Sequence, residues 1–123
     1  MSITICFDFG NTRYKAAVFH GDQLQEIVVL VDDSHDTIKE LLQQFKPSYT
    51  ILSSVVNHQP TVEDVLKEHS HFHKLSHHTQ LPFTTPVGKP ETIGADRLAL
   101  CAAATYLFPN SNNLAIALGT CIT

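Results

Sequence analysis

The sequence predicts an α/β fold built on a mixed β-sheet. Three observations carry this expectation: the chain begins with three strand-like runs separated by short turns, helical periodicity starts only after them, and helices then alternate with further strand-like runs. With 123 residues, 43% of them apolar and 16% charged, the chain has the length and composition of one globular core.

In ITICFDF, Ile3, Ile5, Phe7 and Phe9 alternate with Thr4, Cys6 and Asp8, the period of two that marks a strand. After Gly10-Asn11-Thr12 the chain resumes as a second strand, YKAAVF, which stops at the turn signal HGDQ. LQEIVVLV, rich in β-branched residues, is a third, and the short turns make the three an antiparallel meander. In DTIKELLQQF the apolar residues Ile38, Leu41, Leu42 and Phe45 follow helical spacing, with Asp36 as the expected cap and Lys46-Pro47 as the stop. YTILSSVV is a fourth strand. PTVEDVLKEH is a second helix, with Pro60 in its first turn and Val62, Val65, Leu66 and His69 on one face. Ser70 to Thr92 reads as a loop. ADRLALCAAATYLF is a third helix ended by Pro109-Asn110, its residues Ala102, Ala103 and Ala104 suited to close packing on a sheet. LAIALG is expected to be a last strand.

The order is thus β-β-β-α-β-α-loop-α-β, the layout of a ribonuclease-H-like (actin-like ATPase) lobe, shared by sugar kinases, actin and heat-shock chaperones. Analogy at that level speaks to architecture and not to function. The chain also finishes on an apolar run and a Gly-Thr turn, whereas domains ordinarily end in exposed, dispensable segments. The expectation is therefore the first portion of a longer protein, with residues 1–112 as an N-terminal lobe and residues 113–123 as the first strand and turn of a second lobe.

A net charge of −4 gives no basic footprint, which argues against nucleic acid as a partner. No apolar stretch nears the roughly 20 residues that span a bilayer, and the first residues lack the basic flank of a secretory leader. Cys6, Cys101 and Cys121 are scattered through apolar settings and read as reduced core residues of a cytoplasmic protein.

Three motifs carry chemistry. Asp8 closes the first strand, and Gly10, Asn11 and Thr12 form a turn whose backbone and side-chain donors suit phosphate oxygens. The adjacent carboxylate suits a magnesium ion held through water, and Lys15 adds a positive charge. The plainer reading is an ordinary hairpin turn with a surface acid. Gly94-Ala95-Asp96-Arg97 opens the third helix. Asp96 is either a cap or a general base toward a substrate hydroxyl, with Arg97 beside it to grip an anionic group. A carboxylate held by a helix N-terminus is a weak base, so its value would lie in positioning. Finally, Gly119-Thr120-Cys121-Ile122-Thr123 repeats the logic of the first turn, and two such turns facing each other would enclose a triphosphate.

Together, D-x-G-N-T-x-x-K, G-x-D-R before an Ala-rich helix and a following G-T-x-x-T resemble type III pantothenate kinase, of the acetate and sugar kinase, chaperone and actin superfamily. The resemblance runs along essentially the whole chain, which would correspond to about the first half of such an enzyme. It implies ATP-dependent phosphorylation of pantothenate, the first step toward coenzyme A, with ATP as co-substrate, Mg2+, a monovalent cation (potassium or ammonium) and a homodimer. It implies Asp8 at the metal and phosphates, and Gly10, Asn11, Thr12 and Lys15 as the first phosphate turn. Asp96 would be the base, Gly94, Arg97 and Thr123 would contact pantothenate, and Gly119 and Thr120 would begin the second phosphate turn. Ala117 stands where the family commonly has an acid before that glycine, and Val87 and Gly88 lie near the place of a substrate-contacting aromatic. The chain alone, with half the cleft, is expected to be inactive.

Two rival readings follow from other residues. A non-catalytic, protein-binding member of the same family is consistent with Ala117 but not with Asp8, Lys15, Asp96 and Arg97. A zinc module is suggested by His69, His71, His73, His77 and His78, although no cysteine lies nearby and the spacing fits no known zinc motif. A polar surface loop is the favoured reading of that stretch.

Overall fold

The structure, a computed structural model, describes residues 1–123. Its elements are β1 (Ile3–Phe9), β2 (Tyr14–His20), β3 (Gln23–Leu30), α1 (His35–Phe45), β4 (Tyr49–Ser54), α2 (Pro60–His69), β5 (His71–Lys74), a 3-10 turn (Pro90–Thr92) and α3 (Ala95–Leu107). They form one five-stranded sheet in the order β3-β2-β1-β4-β5. The expected meander is present: β1 pairs antiparallel with β2, and β2 with β3. Gly21, at φ +61°, makes the tight β2–β3 turn that a side chain would strain. β4 then lies parallel to β1, and β5 parallel to β4, as crossover helices require.

β5 departs from the expected loop. Only Ser70 separates it from α2, and of its four residues only Phe72 is apolar, so its period of two has nothing to contrast with. Ser70 is held in extended backbone, φ −160°, with its hydroxyl donating to the Leu66 carbonyl at 2.8 Å and lying 2.6 Å from the buried Thr50 hydroxyl. The terminal run Leu114–Gly119, in contrast, forms no strand of the sheet. No sheet strand lies beside it, and a strand needs a neighbour for its backbone groups. It folds back on itself instead through one isolated bridge, Leu118 to Ile122, flanked by reciprocal Ala117–Thr123 hydrogen bonds.

Helix ends correct two further expectations. α1 is capped by Ser34, whose hydroxyl accepts from the Thr37 amide, while Asp36 sits in the first turn. Asp32 supports the same cap, accepting from the Ser34 amide at 3.0 Å and the Thr37 hydroxyl at 2.6 Å; those bonds hold its carboxyl below the usual range. α3 is capped by Gly94, so Asp96 is not its cap.

One face of the sheet is dry. Ile5, Phe7 and Phe9 of β1, Ala16 and Val18 of β2 and Leu52 of β4 are buried against Ile38, Leu41 and Leu42 of α1 and Val62, Val65 and Leu66 of α2. Alternation sends Asp8, Cys6 and Lys15 to the opposite face. There α3 packs near β4 through one buried residue, Leu98, with Ala102 and Ala104 half-buried and Ala103 exposed. The cysteines are all free thiols, but only Cys6 is even partly buried. Cys101 lies on the open side of α3 and Cys121 in the terminal turn, so neither is a core residue.

Candidate phosphate and substrate cleft

The β1–β2 hairpin places the first motif. Asp8 pairs with Lys15 and Phe9 with Tyr14, and the Gly10 amide closes the turn by donating to the Arg13 carbonyl at 3.0 Å. Asn11 and Thr12 are the exposed tip. Gly10 has no positive φ, and a Cβ there would meet only the Arg13 carbonyl oxygen at an ordinary 3.6 Å. The turn itself therefore tolerates a side chain; the glycine instead keeps the cleft wall bare.

Gly94 bears on where the Asp96 side chain can lie. A Cβ at that position would stand 2.7 Å from Asp96 Oδ1. Its absence lets the Asp96 carboxylate fold back over the helix N-terminus, where it accepts from the Arg97 amide at 2.9 Å.

The two small-residue turns meet. Thr12 Oγ1 lies 3.0 Å from Thr120 Oγ1, although 108 residues separate them. Around this contact is an open cleft of about 820 Å3, lined by Asp8, Gly10, Asn11, Thr12, Lys15, Asp96, Arg97, Gly119, Thr120 and Thr123. Every residue of the three sequence motifs that was assigned a role thus lines one cleft except Gly94, which precedes Asp96 at the start of α3. Arg13, Val55, Leu100 and Ala117 line it as well, whereas Val87 and Gly88 do not. Arg13 carried no signal beyond its charge, and Val55 and Leu100 belong to runs that carried only secondary-structure signals.

The electrostatics are mixed. Three cationic side chains, Arg13, Lys15 and Arg97, face two carboxylates, Asp8 and Asp96, and no salt bridge joins any of them. Crowding against the cleft wall pushes the Asp8 carboxyl above its usual range; Lys15 opposes this and Asp96 adds to it. Uncommitted cations suit an anionic ligand, and a carboxylate short of positive charge suits a cation.

Behind the cleft lies a network that the sequence did not announce. Ser54 Oγ is 3.0 Å from the Val56 carbonyl and 2.9 Å from His58 Nδ1; His58 Nε2 is 2.8 Å from Glu63, and Lys74 reaches Glu63 at 3.2 Å. Burial pushes the Glu63 carboxyl up, but the hydrogen bonds and charges of His58 and Lys74 outweigh it and hold the group below its usual range. The His58 ring packs edge-on against Phe9, 6.0 Å between centroids, and so braces the strand end that carries Asp8.

The other histidines disperse. His69 Nδ1 sits 3.0 Å from the Val65 carbonyl and His73 Nε2 2.8 Å from the Thr79 hydroxyl; His71 stacks on Tyr49, and His77 on His78. No group of three or more His, Cys, Asp or Glu stands where it could hold a metal ion.

The family model of type III pantothenate kinase matches residues 4–123. The chain belongs to that family. Curated type III pantothenate kinases of Christiangramia forsetii and Cytophaga hutchinsonii are 37% and 36% identical to it, each over 98% of this chain and 51% and 50% of their own length. That of Flavobacterium johnsoniae is 36% identical over 94% of this chain and 48% of its own length. The chain thus spans about half the length of these relatives and corresponds to their N-terminal half. Among solved structures, the nuclease domain of the large terminase subunit of a bacterial virus aligns over 91% of this chain and 59% of its own, at TM-score 0.46 and 17% identity, too distant to bear on the site.

Proposed function

We propose that this chain is the N-terminal part of an ATP-dependent pantothenate kinase, and that the triphosphate lies in the cleft that both turns line. The observation that carries the reading is the 3.0 Å approach of Thr12 to Thr120, which brings two remote glycine–hydroxyl turns to one cleft that also contains Asp8 and Asp96.

In this reading the amides and hydroxyls of Asn11, Thr12, Gly119 and Thr120 bind phosphate oxygens, and Lys15 and Arg13 balance their charge. Asp96 accepts the proton of the pantothenate primary hydroxyl as its oxygen attacks the γ-phosphorus. The bond from that phosphorus to the β–γ bridging oxygen breaks, and ADP leaves. Arg97, next to the base, binds the anionic end of the acceptor, and Thr123 and Gly94 shape the acceptor side.

A magnesium ion would fit the donors present: one carboxylate without a salt-bridge partner, Asp8, with phosphates and water supplying the remaining oxygens. When bound it neutralises phosphate charge. The terminal turn offers hydroxyls and backbone carbonyls, and a monovalent cation rests on the family resemblance. A homodimer in the cytoplasm rests on the family resemblance; no helix here is long and apolar enough to cross a membrane.

Two measurements test the reading. The chain alone should bind ATP with a divalent cation but release no ADP when pantothenate is added. Grafting on the second half of the Christiangramia forsetii relative should restore pantothenate-dependent ADP release, which Asp96→Asn should cut by about a hundredfold or more. A folded graft that binds ATP without pantothenate-dependent release would overturn the proposal, as would full turnover by the chain alone.

A further inference from the structure

In the network behind the cleft, one hydroxyl hydrogen has two acceptors within reach. Ser54 ends β4, and its Oγ lies 3.0 Å from the Val56 carbonyl and 2.9 Å from His58 Nδ1. A serine hydroxyl has a single hydrogen to donate, so the state of the imidazole settles where it goes. The Glu63 carboxyl, held below its usual range, is ionised at neutral pH and only accepts. His58 Nε2, 2.8 Å from it, therefore carries a hydrogen, and Nδ1 is the ring position left free to change. With a proton on Nδ1, the ring donates to Ser54 Oγ and the hydroxyl hydrogen goes to the Val56 carbonyl. Without one, Nδ1 accepts, and the hydroxyl hydrogen turns to the ring and leaves Val56. The His58 side chain is only 9% exposed, so the ring depends on these two partners rather than on water.

The segment that this hydrogen holds is part of the cleft wall. Val55 lies between Ser54 and Val56; its amide donates to the Phe9 carbonyl at 3.0 Å, and it lines the cleft. Its Cγ1 is 3.7 Å from where a Cβ on Gly94 would stand, so it sits beside both the end of β1 and the start of α3. The charged groups facing the ring are Glu63 of α2 and, through Glu63 at 3.2 Å, Lys74 of β5. Asp33, in the loop before α1, accepts from the neighbouring Gln59 amide at 2.9 Å. β1 presents Phe9 and β4 presents Ser54, neither of them charged. Of these side-chain types, imidazole is the one that ordinarily changes charge between about pH 5 and 8. We propose that His58 is a proton-sensitive positioning residue of the cleft wall: protonated, it frees the Ser54 hydroxyl to clamp the Val56 carbonyl, and neutral, it takes that hydrogen and loosens the Val55–Val56 segment. Because the wall is tested without ligand, the outcome does not depend on the kinase reading.

The test is a nuclear magnetic resonance series on the free chain from about pH 5 to 9. It reads the two ring nitrogens of His58 and the exchange protection of the Val55 amide. Both nitrogens should carry hydrogen at the acid end, and only Nε2 above the midpoint. The Val55 protection factor should fall about three- to tenfold at the same midpoint, the size of one net hydrogen bond. In Ser54→Ala the ring should still titrate while Val55 no longer follows it, and Ser54→Thr should restore the coupling. A ring that does not titrate in this range would overturn the proposal. So would a neutral ring with its hydrogen on Nδ1, or Val55 protection that does not fall across the midpoint; these three outcomes are read on the wild-type chain. A Val55 response that survives in Ser54→Ala would assign it to another group and overturn the proposal as well.

Discussion

The two faces of the sheet, separated by a single strand, follow opposite rules. On the α1–α2 face, Ile5, Phe7 and Phe9 are buried in a cluster of leucines, isoleucine and valines, with His58 at its edge against Phe9. On the cleft face the same strand presents Cys6 and Asp8, the only buried unpaired hydroxyl, that of Ser53, lies alongside, and the covering helix buries a single residue, Leu98. Strand alternation lets one seven-residue element serve both ends: odd positions hold the fold together, and even positions remain free for chemistry that stability alone would not select. What the comparison teaches is that adjacent residues of β1 should respond to substitution in opposite directions.

The largest effect should come from the dry face. Phe7→Ala removes a ring that is 1% exposed, and should cost about 3–5 kcal/mol, enough to unfold much of a marginal domain in a urea titration. Asp8→Asn, one residue away, should do the reverse to the free chain. The Asp8 carboxyl is raised in the fold, so ionising it opposes folding: the cost appears as pH rises above the unfolded-state value and is complete above the folded one. At neutral pH the variant should therefore melt slightly higher, by less than about 1 kcal/mol after solvent screening, while losing affinity for ATP with Mn2+. A clear destabilisation by Asp8→Asn would break the contrast between the faces.

The brace behind the cleft should be intermediate. Glu63→Gln weakens the bonds from His58 and Lys74 and should cost about 1–3 kcal/mol. The Glu63 carboxyl is lowered in the fold, so its contribution is present above the unfolded-state value and is lost as pH falls through the folded one. The penalty of the variant should accordingly shrink in acid, which a series of urea titrations at decreasing pH would show. The smallest effect belongs to Thr12→Val. It removes an exposed contact worth about 0.5 kcal/mol, too little for a melting shift but visible as faster amide exchange in the Gly119–Thr123 turn.

Much of the fold was legible because periodicity was strong where burial was one-sided. The meander and the apolar stripes of α1 and α2 stand where alternation and helical spacing put them. β5 was hidden because Phe72 alone among its residues is apolar, and the run at Leu114–Gly119 read as a strand because apolar composition does not reveal whether a pairing partner exists. The α1 cap was misplaced by two residues because Ser34 and Asp36 are both good N-terminal residues, and only geometry separates a cap from a first-turn acid. The cleft was legible through its motifs. What escaped was what depends on tertiary placement: the Ser54–His58–Glu63–Lys74 network and the position of Arg13 at the cleft.

The central claim is that the two turns form one phosphate site, and the most direct test is an amide-resolved nuclear magnetic resonance titration of the chain with ATP and Mg2+. The account predicts shifts concentrated at Gly10, Asn11 and Thr12 and, at the same midpoint, at Gly119 and Thr120, with α1 and α2 unmoved. Shifts confined to one turn, or centred on the histidine-rich segment around β5, would contradict it.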